Sequence, residues 1–451
     1  MTSGSSKILG AWWFAGLLSL VLASSSNAPI VAQSDLAIHA VHRLSPGRGS
    51  IIPGEIIVGF AVATGLSGAQ EAVREVGGMR ARASHYGGVF LVTLEPGRDM
   101  QTALAQLQAR PDVEYAEPNG RVSAFFAPND PRFDLQWHFR LLGVERTWDI
   151  QRGDPSIAVA VLDTGIAYED YGKFRKAPDF AGTVFLPGLN VLDGTPHAND
   201  DNFHGTHVAS TIAEATNNDL GAAGLAFQCA LMPVKVLDSE GDGSFFDVAE
   251  GIDYATNFRS GDTNPIKVIN LSLGGDFESE TVSRAIERAV AAGITVVAAA
   301  GNDGHEGISF PAAHPDVIAV GAVDGRGERA VYSNTGPELD VMAPGGDLDR
   351  DDDEDGYPDG VLQQTFSPSV AASEGRYDDF GLFFVDGTSQ AAPHVAAIAA
   401  LLYHQGITEP AAVKQALEST AKDLGAAGHD DDTGHGLIQP AAALSGLGLN
   451  R

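Results

Sequence analysis

The chain has one cysteine in 451 residues, Cys229, so no intrachain disulfide can form. An exported protein without disulfides needs another staple, and a bound cation is one. Cys229 opens the apolar run 229–237, which marks it as a buried structural thiol rather than a nucleophile. Basic residues are also scarce: 28 Lys and Arg stand against 59 Asp and Glu, for a formal net charge of −31. That balance argues against nucleic acid as a partner, which selects basic surfaces. It suits a soluble, exported protein and the binding of cations. Long apolar runs are confined to the start of the chain. Lys7 precedes the apolar stretch from Ile8 to Leu22, and small residues follow, with Ala23 or Ala32 as cleavage points. Residues 1–32 therefore read as an export signal and its cleavage region, leaving no membrane association after processing.

Residues 33–50 have the polar composition of a linker. A small α+β unit follows over 51–122. Glu55–Phe60 and Val89–Leu94 read as strands, and Asp99–Ala109 reads as a helix with Leu104 and Leu107 on one face. Val113–Pro118 closes this unit, and the segment Phe125–Phe133, with several prolines, reads as exposed and cleavable. From Leu135 the pattern changes. Apolar runs at 156–162, 230–237, 266–271, 294–299 and 317–323 alternate with helical patterns at 204–215, 245–258 and 281–292. Continuous apolar strands separated by helices imply an α/β domain, spanning about 128–448, with a parallel sheet covered on both faces. Ligands of such sheets bind at the carboxyl ends of the strands.

Three residues capable of acyl-transfer chemistry fall at such ends. Asp163 follows a strand in Asp163-Thr-Gly165. His204 opens a helix in His204-Gly-Thr-His207. Ser389 starts an Ala-rich helix in Gly387-Thr-Ser-Gln-Ala-Ala-Pro-His394. Together they supply a nucleophile, a base and an orienting carboxylate. A second Asp-Thr-Gly, at Asp432, raises an aspartic-protease dyad as a rival. It sits in the polar run 428–434, and the strand–helix alternation contradicts an all-β protease. A calcium-binding pseudoenzyme is the other rival, and no triad residue is missing to support it.

These motifs, with Val161-Leu-Asp-Thr-Gly165, Asn270-Leu-Ser-Leu-Gly-Gly275, Ala298-Ala-Ala-Gly-Asn302 and Pro337–Pro344, resemble the subtilisin-like serine protease family in content and order. The resemblance runs from about Asp130 to Leu447. It implies the subtilisin-like parallel-sheet fold and a secreted, monomeric endopeptidase acting on proteins and peptides. Asp163, His204 and Ser389 would be its triad, and the Asn302 amide would be the second oxyanion donor beside the Ser389 N–H. Ser272, Leu273, Gly274, Ala299, Ala300 and Gly301 would line the primary specificity pocket, with the short loop His305–Ser309 forming part of its wall. His207 and His394, inside helices beside small residues, are expected to pack rather than to catalyse. Gln390 stands after the nucleophile where Met is common in the family. The unit 51–122 resembles the family's inhibitory propeptide, which implies an intramolecular inhibitor removed by cleavage between Asn119 and Asp130.

Calcium is the expected cofactor. Asp351, Asp353 and Asp355 alternate ahead of Gly356, and Asp359 returns toward them, as at the start of an EF-hand-like loop lacking its terminal Glu. This stretch reads as an insertion between Gly346 and Asp386. The family resemblance implies a second site from Gln136 and Asn218, with Asp170 as its carboxylate.

Overall fold

The computed structural model describes residues 51–61, 64–85, 87–120 and 126–446. The expected export signal and linker, and residues 121–125 of the expected cleavage segment, lie outside them.

The first folded region is an antiparallel sheet with two helices. Its elements are β1 (Ile51–Phe60), α1 (Gly65–Glu75), β2 (Gly78–Ala83), β3 (Val89–Leu94), α2 (Met100–Gln108) and β4 (Val113–Gly120), with strand order β2-β3-β1-β4. Buried and half-buried residues alternate along β3, the signature of a sheet packed on one face only. Ile56, Val58, Phe90 and Val92 face Ala69, Ala72, Leu104 and Leu107 of the helices in a separate small core. Helix α2 starts where expected because the Asp99 carboxylate accepts the Thr102 N–H at 2.7 Å, an N-cap bond that satisfies one orphan donor. Sequence reading missed α1 and β2. Helix α1 carries two glycines, which weaken helical propensity, and β2 is a largely exposed edge strand with alternating arginines.

The second region opens with α3 (Trp137–Leu142) and α4 (Val144–Ile150). Its sheet then forms from β5 (Ala158–Asp163), β6 (Leu189–Asn190), β7 (Ala230–Lys235), β8 (Ile266–Leu271), β9 (Thr295–Ala299), β10 (Val317–Val323) and β11 (Val341–Pro344). These seven pair in the order β11-β10-β9-β8-β5-β7-β6, and every pairing is parallel. All six residues of β5 are buried. Val159 and Val161 enter one core, while Ala158, Ala160 and Leu162 enter the other. The first core is covered by α5 (His204–Ala213) and α9 (Thr388–His404); the second is covered by α6 (Phe245–Asn257) and α7 (Glu280–Ala291). The expected doubly covered parallel sheet is therefore present. Helices α10 (Pro410–Thr420) and α11 (Pro440–Gly446) complete the first layer. Cys229 is buried as expected. Its burial pushes the thiol up to about 12, and a Cβ on Gly153 would stand 2.5 Å from the sulfur.

The stretch read as an insertion proves to be two things. Its first part is the acidic loop. Its second part is an antiparallel hairpin, β12 (Val361–Phe366) and β13 (Phe380–Val385), joined through the short helix α8 (Pro368–Glu374). Every residue of β12 is buried, including Gln363, Gln364 and Thr365. A buried strand built on polar side chains gives no apolar run, so its sequence concealed it. Both amides bond to distant backbone: Gln364 Oε1 accepts the Asp179 N–H at 2.7 Å, and Gln363 Nε2 donates to the Ala223 carbonyl at 3.3 Å, while Gln364 Nε2 is buried without a partner.

Candidate active site

Asp163 is the last residue of β5, and Ser272 and Ala300–Asn302 follow the adjacent strands β8 and β9. Helices α5 and α9 pack on the same face and begin at His204 and Thr388. The sheet thus gathers the carboxylate, the imidazole and the hydroxyl at one edge. His204 Nδ1–H donates to Asp163 Oδ1 at 2.8 Å, and the Thr164 N–H donates to the same oxygen at 2.7 Å. Asp163 is fully buried, and its Oδ2 has no hydrogen-bond partner. Burial alone would lower the His204 pKa, but the Asp163 charge and hydrogen bond outweigh it and hold the ring above its ordinary 6.5. Gly205 has no room for a side chain: a Cβ there would lie 2.1 Å from the Gly165 carbonyl and 3.0 Å from Asp163 Oδ1.

Ser389 Oγ donates to the Ser272 carbonyl at 3.1 Å, and Ser272 Oγ donates to the Ser389 carbonyl at 2.7 Å. The hydroxyl is therefore parked on Ser272 rather than on His204. Apo hydrogen bonds of this kind are often loose and tighten only with substrate. Asn302 Oδ1 accepts both the N–H and the hydroxyl of Thr388 at 2.8 Å. This fixes the amide so that its Nδ2 faces outward. A Cβ placed on Gly387 would stand 3.4 Å from Asn302 Nδ2 and 3.7 Å from the Ser389 nitrogen. Two donors of different origin thus border one space beside the nucleophile, with the N-terminus of the 17-residue α9 behind it.

The expected pocket segments also meet. A Cβ on Gly274 would come within 2.9 Å of Ser309 Cβ, and one on Gly301 within 2.4 Å of Ser309 Oγ. Ser309 stands between the 272–275 and 299–301 segments, so the end of the loop 305–309 lies against both. His207 and His394 are fully buried. His207 Nε2 binds the Val361 and Phe383 carbonyls at 3.1 Å; His394 Nδ1 binds the Gln390 carbonyl and its Nε2 binds His138, both at 2.8 Å. Desolvation lowers them to about 4 and about 3, so both are neutral packing groups.

Sequence reasoning missed three supports. Asp200, buried, accepts from Thr164 Oγ1 at 2.9 Å and from the Thr206 N–H and hydroxyl at 2.9 and 2.6 Å, bracing both sides of the Asp163–His204 pair. Lys235 Nζ donates to the Thr164 and Leu237 carbonyls and pairs with Asp201. Tyr332 accepts the Gly387 N–H at 3.0 Å and donates to the Gly346 carbonyl at 2.7 Å. Asp200 lies in the run Asn199-Asp-Asp-Asn202 near the His204 motif, the only hint that sequence offered.

Two oxygen-rich constellations could hold cations. Asp351, Asp353 and Asp355 place one carboxylate oxygen each within 4.8 Å of one another, all exposed. Asp351 accepts the Asp355 and Gly356 N–H groups at 3.1 and 3.2 Å, and Gly356 has φ +89°, as the loop reading required. Asp359 does not join the cluster. It is buried, and its Oδ2 accepts the Asp352 N–H at 2.6 Å, so it closes the loop from within. The loop reaches the nucleophile segment through the Leu348 N–H, which donates to Asp386 at 3.1 Å.

The second constellation corrects two expected ligands. Gln136 is fully buried, with Oε1 accepting the Ala223 N–H and Nε2 donating to the Ala223 carbonyl, both at 2.9 Å. Its amide locks the chain and offers nothing to a cation. Asp170 is exposed and caps the Lys176 N–H at 2.8 Å. Asn218 does belong: its Nδ2 donates to Asp179 at 2.7 Å, and its N–H donates to Asp130 at 3.2 Å. Asp130, Asp179 and Glu214 are all buried there, and Glu214 Oε1 has no hydrogen-bond partner. Desolvation raises all three pKa values, Glu214 furthest because Asp179 adds repulsion. The three carboxylates do not all come within 4.8 Å of one another, as those of the Asp351 trio do, but a buried all-oxygen set with an orphan atom has the donor chemistry that a hard divalent cation takes.

Asp432 is an exposed loop residue whose N–H caps on Asp430, so it forms no dyad with Asp163.

Comparison with known proteins agrees. The Subtilase family model matches residues 154–436, and the Fervidolysin N-terminal prodomain model matches residues 42–119. A thermophilic serine proteinase of Bacillus sp. (strain AK1) is 35% identical over 387 residues, spanning 85% of this chain and 86% of its own. Subtilisin E of Bacillus subtilis (strain 168) is 34% identical, over 86% of this chain and 89% of its own. The solved structure of a protease from Pseudoalteromonas arctica PAMC 21717 superposes with a TM-score of 0.62 at 34% identity, covering 71% of this chain and 99% of that one. The parallel sheet, the edge that gathers Asp163, His204 and Ser389, and these relationships place the chain in the subtilase family of serine endopeptidases, with an N-terminal prodomain ahead of the peptidase domain.

Proposed function

We propose that the protein is exported, removes its own prodomain and hydrolyses protein and peptide substrates as a monomer through an acyl-enzyme, with calcium stabilising its loops. The observation that carries the chemistry is the space over Gly387, bordered by Asn302 Nδ2 and the Ser389 N–H, beside an imidazole oriented by Asp163. Rotation of the Ser389 side chain away from Ser272 frees its hydroxyl for His204. His204 Nε2 takes the hydroxyl proton as Oγ attacks the peptide carbonyl, and the two donors receive the oxyanion. The protonated His204 then gives that proton to the leaving amine. Water repeats the sequence on the ester and returns Ser389. Asp163 keeps the Nδ1–H tautomer and stabilises the imidazolium. Because the Asp163 charge and hydrogen bond raise the His204 pKa above its ordinary 6.5, the neutral base becomes predominant at higher pH than for a free imidazole, and activity should rise with pH accordingly.

Bound calcium would supply charge neutralisation to Asp130, Asp179 and Glu214, with Asn218 beside them, and to Asp351, Asp353 and Asp355. Export is supported by the sequence of residues 1–32 and by relatives such as the "Extracellular protease" of Xanthomonas campestris pv. campestris. No helix among the described residues is long and apolar enough to cross a membrane.

Caseinolysis by the processed protein, with and without calcium and beside Ser389→Ala, tests this reading. We expect activity and prodomain removal to vanish together in the variant, and the mature N-terminus to fall between Asn119 and Asp130. Equal activity in Ser389→Ala would refute the triad. A mature protein beginning at residue 24 or 33 would refute self-processing.

A further inference from the structure

A cavity of about 730 Å³ lies beside the catalytic imidazole, lined by His204 and Thr164 at one end and by Ser272–Gly275 at the other. Its floor is apolar, made by Phe245, Val248, Leu273 and Val282. The rings of Phe245 and Phe277 meet edge to face at 5.1 Å, and Phe277 is 68% exposed, so aromatic surface continues up the wall to solvent. The mouth carries Glu240, Asp242 and Asp276, and no Lys or Arg lines the cavity. Among the described residues, none of these three carboxylates has an ion pair or hydrogen bond.

The acids are presented by a built turn. Asp238 accepts the Glu240 and Asp242 N–H groups at 2.9 and 3.0 Å, and its own N–H donates to the Asp242 carbonyl at 2.8 Å. Asn202 Nδ2 donates to the Ser239 carbonyl at 3.0 Å, which ties the turn to the segment just ahead of His204. Leu237 and Gly243 pair across its base. Two unpartnered carboxylates are therefore presented to the cavity by this turn, and Asp276 lines it from the segment after Ser272–Gly275.

We propose that this cavity selects substrates with a long cationic side chain, arginine ahead of lysine, within a few residues of the cleaved bond; this rests on the endopeptidase reading above. The methylenes of such a side chain cover the Phe245 and Phe277 rings, and its head group stays in water among the carboxylates. Arginine gains further because its planar guanidinium stacks on aromatic faces. An acidic side chain entering here meets three like charges and is rejected.

The test uses the processed enzyme and fluorogenic peptides carrying arginine, citrulline, leucine or glutamate in turn at each of the four positions before the cut. Citrulline keeps the shape of arginine but replaces one terminal nitrogen by a carbonyl oxygen and carries no charge. At one position, kcat/KM for arginine is expected to exceed that for citrulline roughly fivefold at low salt, and the excess should fall at about 1 M salt, where screening reaches about 3 Å. In the variant Glu240→Gln/Asp242→Asn/Asp276→Asn the ratio should approach one. Because the ratio compares two peptides on one protein sample, partial unfolding of the variant cancels. Brisk hydrolysis with a ratio near one at every position would overturn the proposal alone, as would an undiminished ratio in the variant. No hydrolysis of any peptide by the wild type would overturn the endopeptidase reading together with it.

Discussion

Asp163 and the acids around Glu214 are equally buried, yet their surroundings treat charge in opposite ways. Asp163 has the His204 Nδ1–H, which becomes cationic when the ring takes a proton, a backbone donor, and Asp200 holding the His204 helix in place. Asp130, Asp179 and Glu214 lie near enough to repel one another, with amide and N–H donors but, among the described residues, no cationic side chain bonded to them. A buried carboxylate is tolerated only when paired, neutralised or metal-bound. In the first arrangement the protein supplies partners for the charge, although Asp163 Oδ2 is left without one, whereas the second gathers carboxylates whose charge a cation or protons would neutralise. The exposed trio Asp351, Asp353 and Asp355 is a third case, in which Arg140 pairs with Asp353 at 2.6 Å and water screens the rest.

The comparison breaks most sharply at Asp163. Asp163→Asn keeps the volume but favours the wrong imidazole tautomer, so kcat should fall about 10⁴-fold while thermal stability changes little. An unchanged kcat in steady-state kinetics would show that the pair does not orient the base. Asn302→Ala should cost about 10²- to 10³-fold in kcat, the loss seen for such a donor in a subtilisin, with KM nearly constant. A change confined to KM would instead make Asn302 a binding residue.

Calcium sharpens the contrast between the two acid sets. Saturating calcium, at 100 to 1,000 times its dissociation constant, should add about 3–4 kcal/mol of stability. Calorimetry with and without a chelator would read this as a rise of several degrees. Asp179→Asn should remove most of that rise, and Asp353→Asn should remove little, because screened charges couple weakly. The reverse order would assign the principal site to the exposed loop.

The smallest effect concerns the neutral histidines. His207 and His394 are depressed to about 4 and about 3, below the ordinary 6.5. The unfolded chain therefore binds more protons than the folded one between pH 6.5 and these values. Stability from these groups is complete above pH 6.5 and is lost as pH falls toward 4. Replacing His207 by Gln should flatten that acid limb in chelator-treated protein; an unaltered slope would mean that the buried carboxylates govern it.

How much of this was legible in the sequence depended on whether a residue's role was carried by its neighbours in the chain. The strands around Asp163, Ser272 and Asn302 are apolar runs, and the helix starts at His204 and Ser389 are short local motifs. Both were read with boundaries close to those observed. Strand β12 was not, because its burial rests on Gln363 and Gln364 bonding to residues more than a hundred positions away. Asp359 and Gln136 look like ligands in one dimension and turn out to be occupied by backbone N–H groups.

The sequence by itself determined the fold class, the order of the catalytic motifs and the acidic loop, since each is written in periodicity or in a contiguous run. Only the tertiary structure decided which carboxylates meet. Asp130, Asp179 and Glu214 converge from three separate segments, and Glu240 and Asp276 from two. A buried charge takes its meaning from what lies within a few ångströms, and that distance is set by packing, not by spacing along the chain.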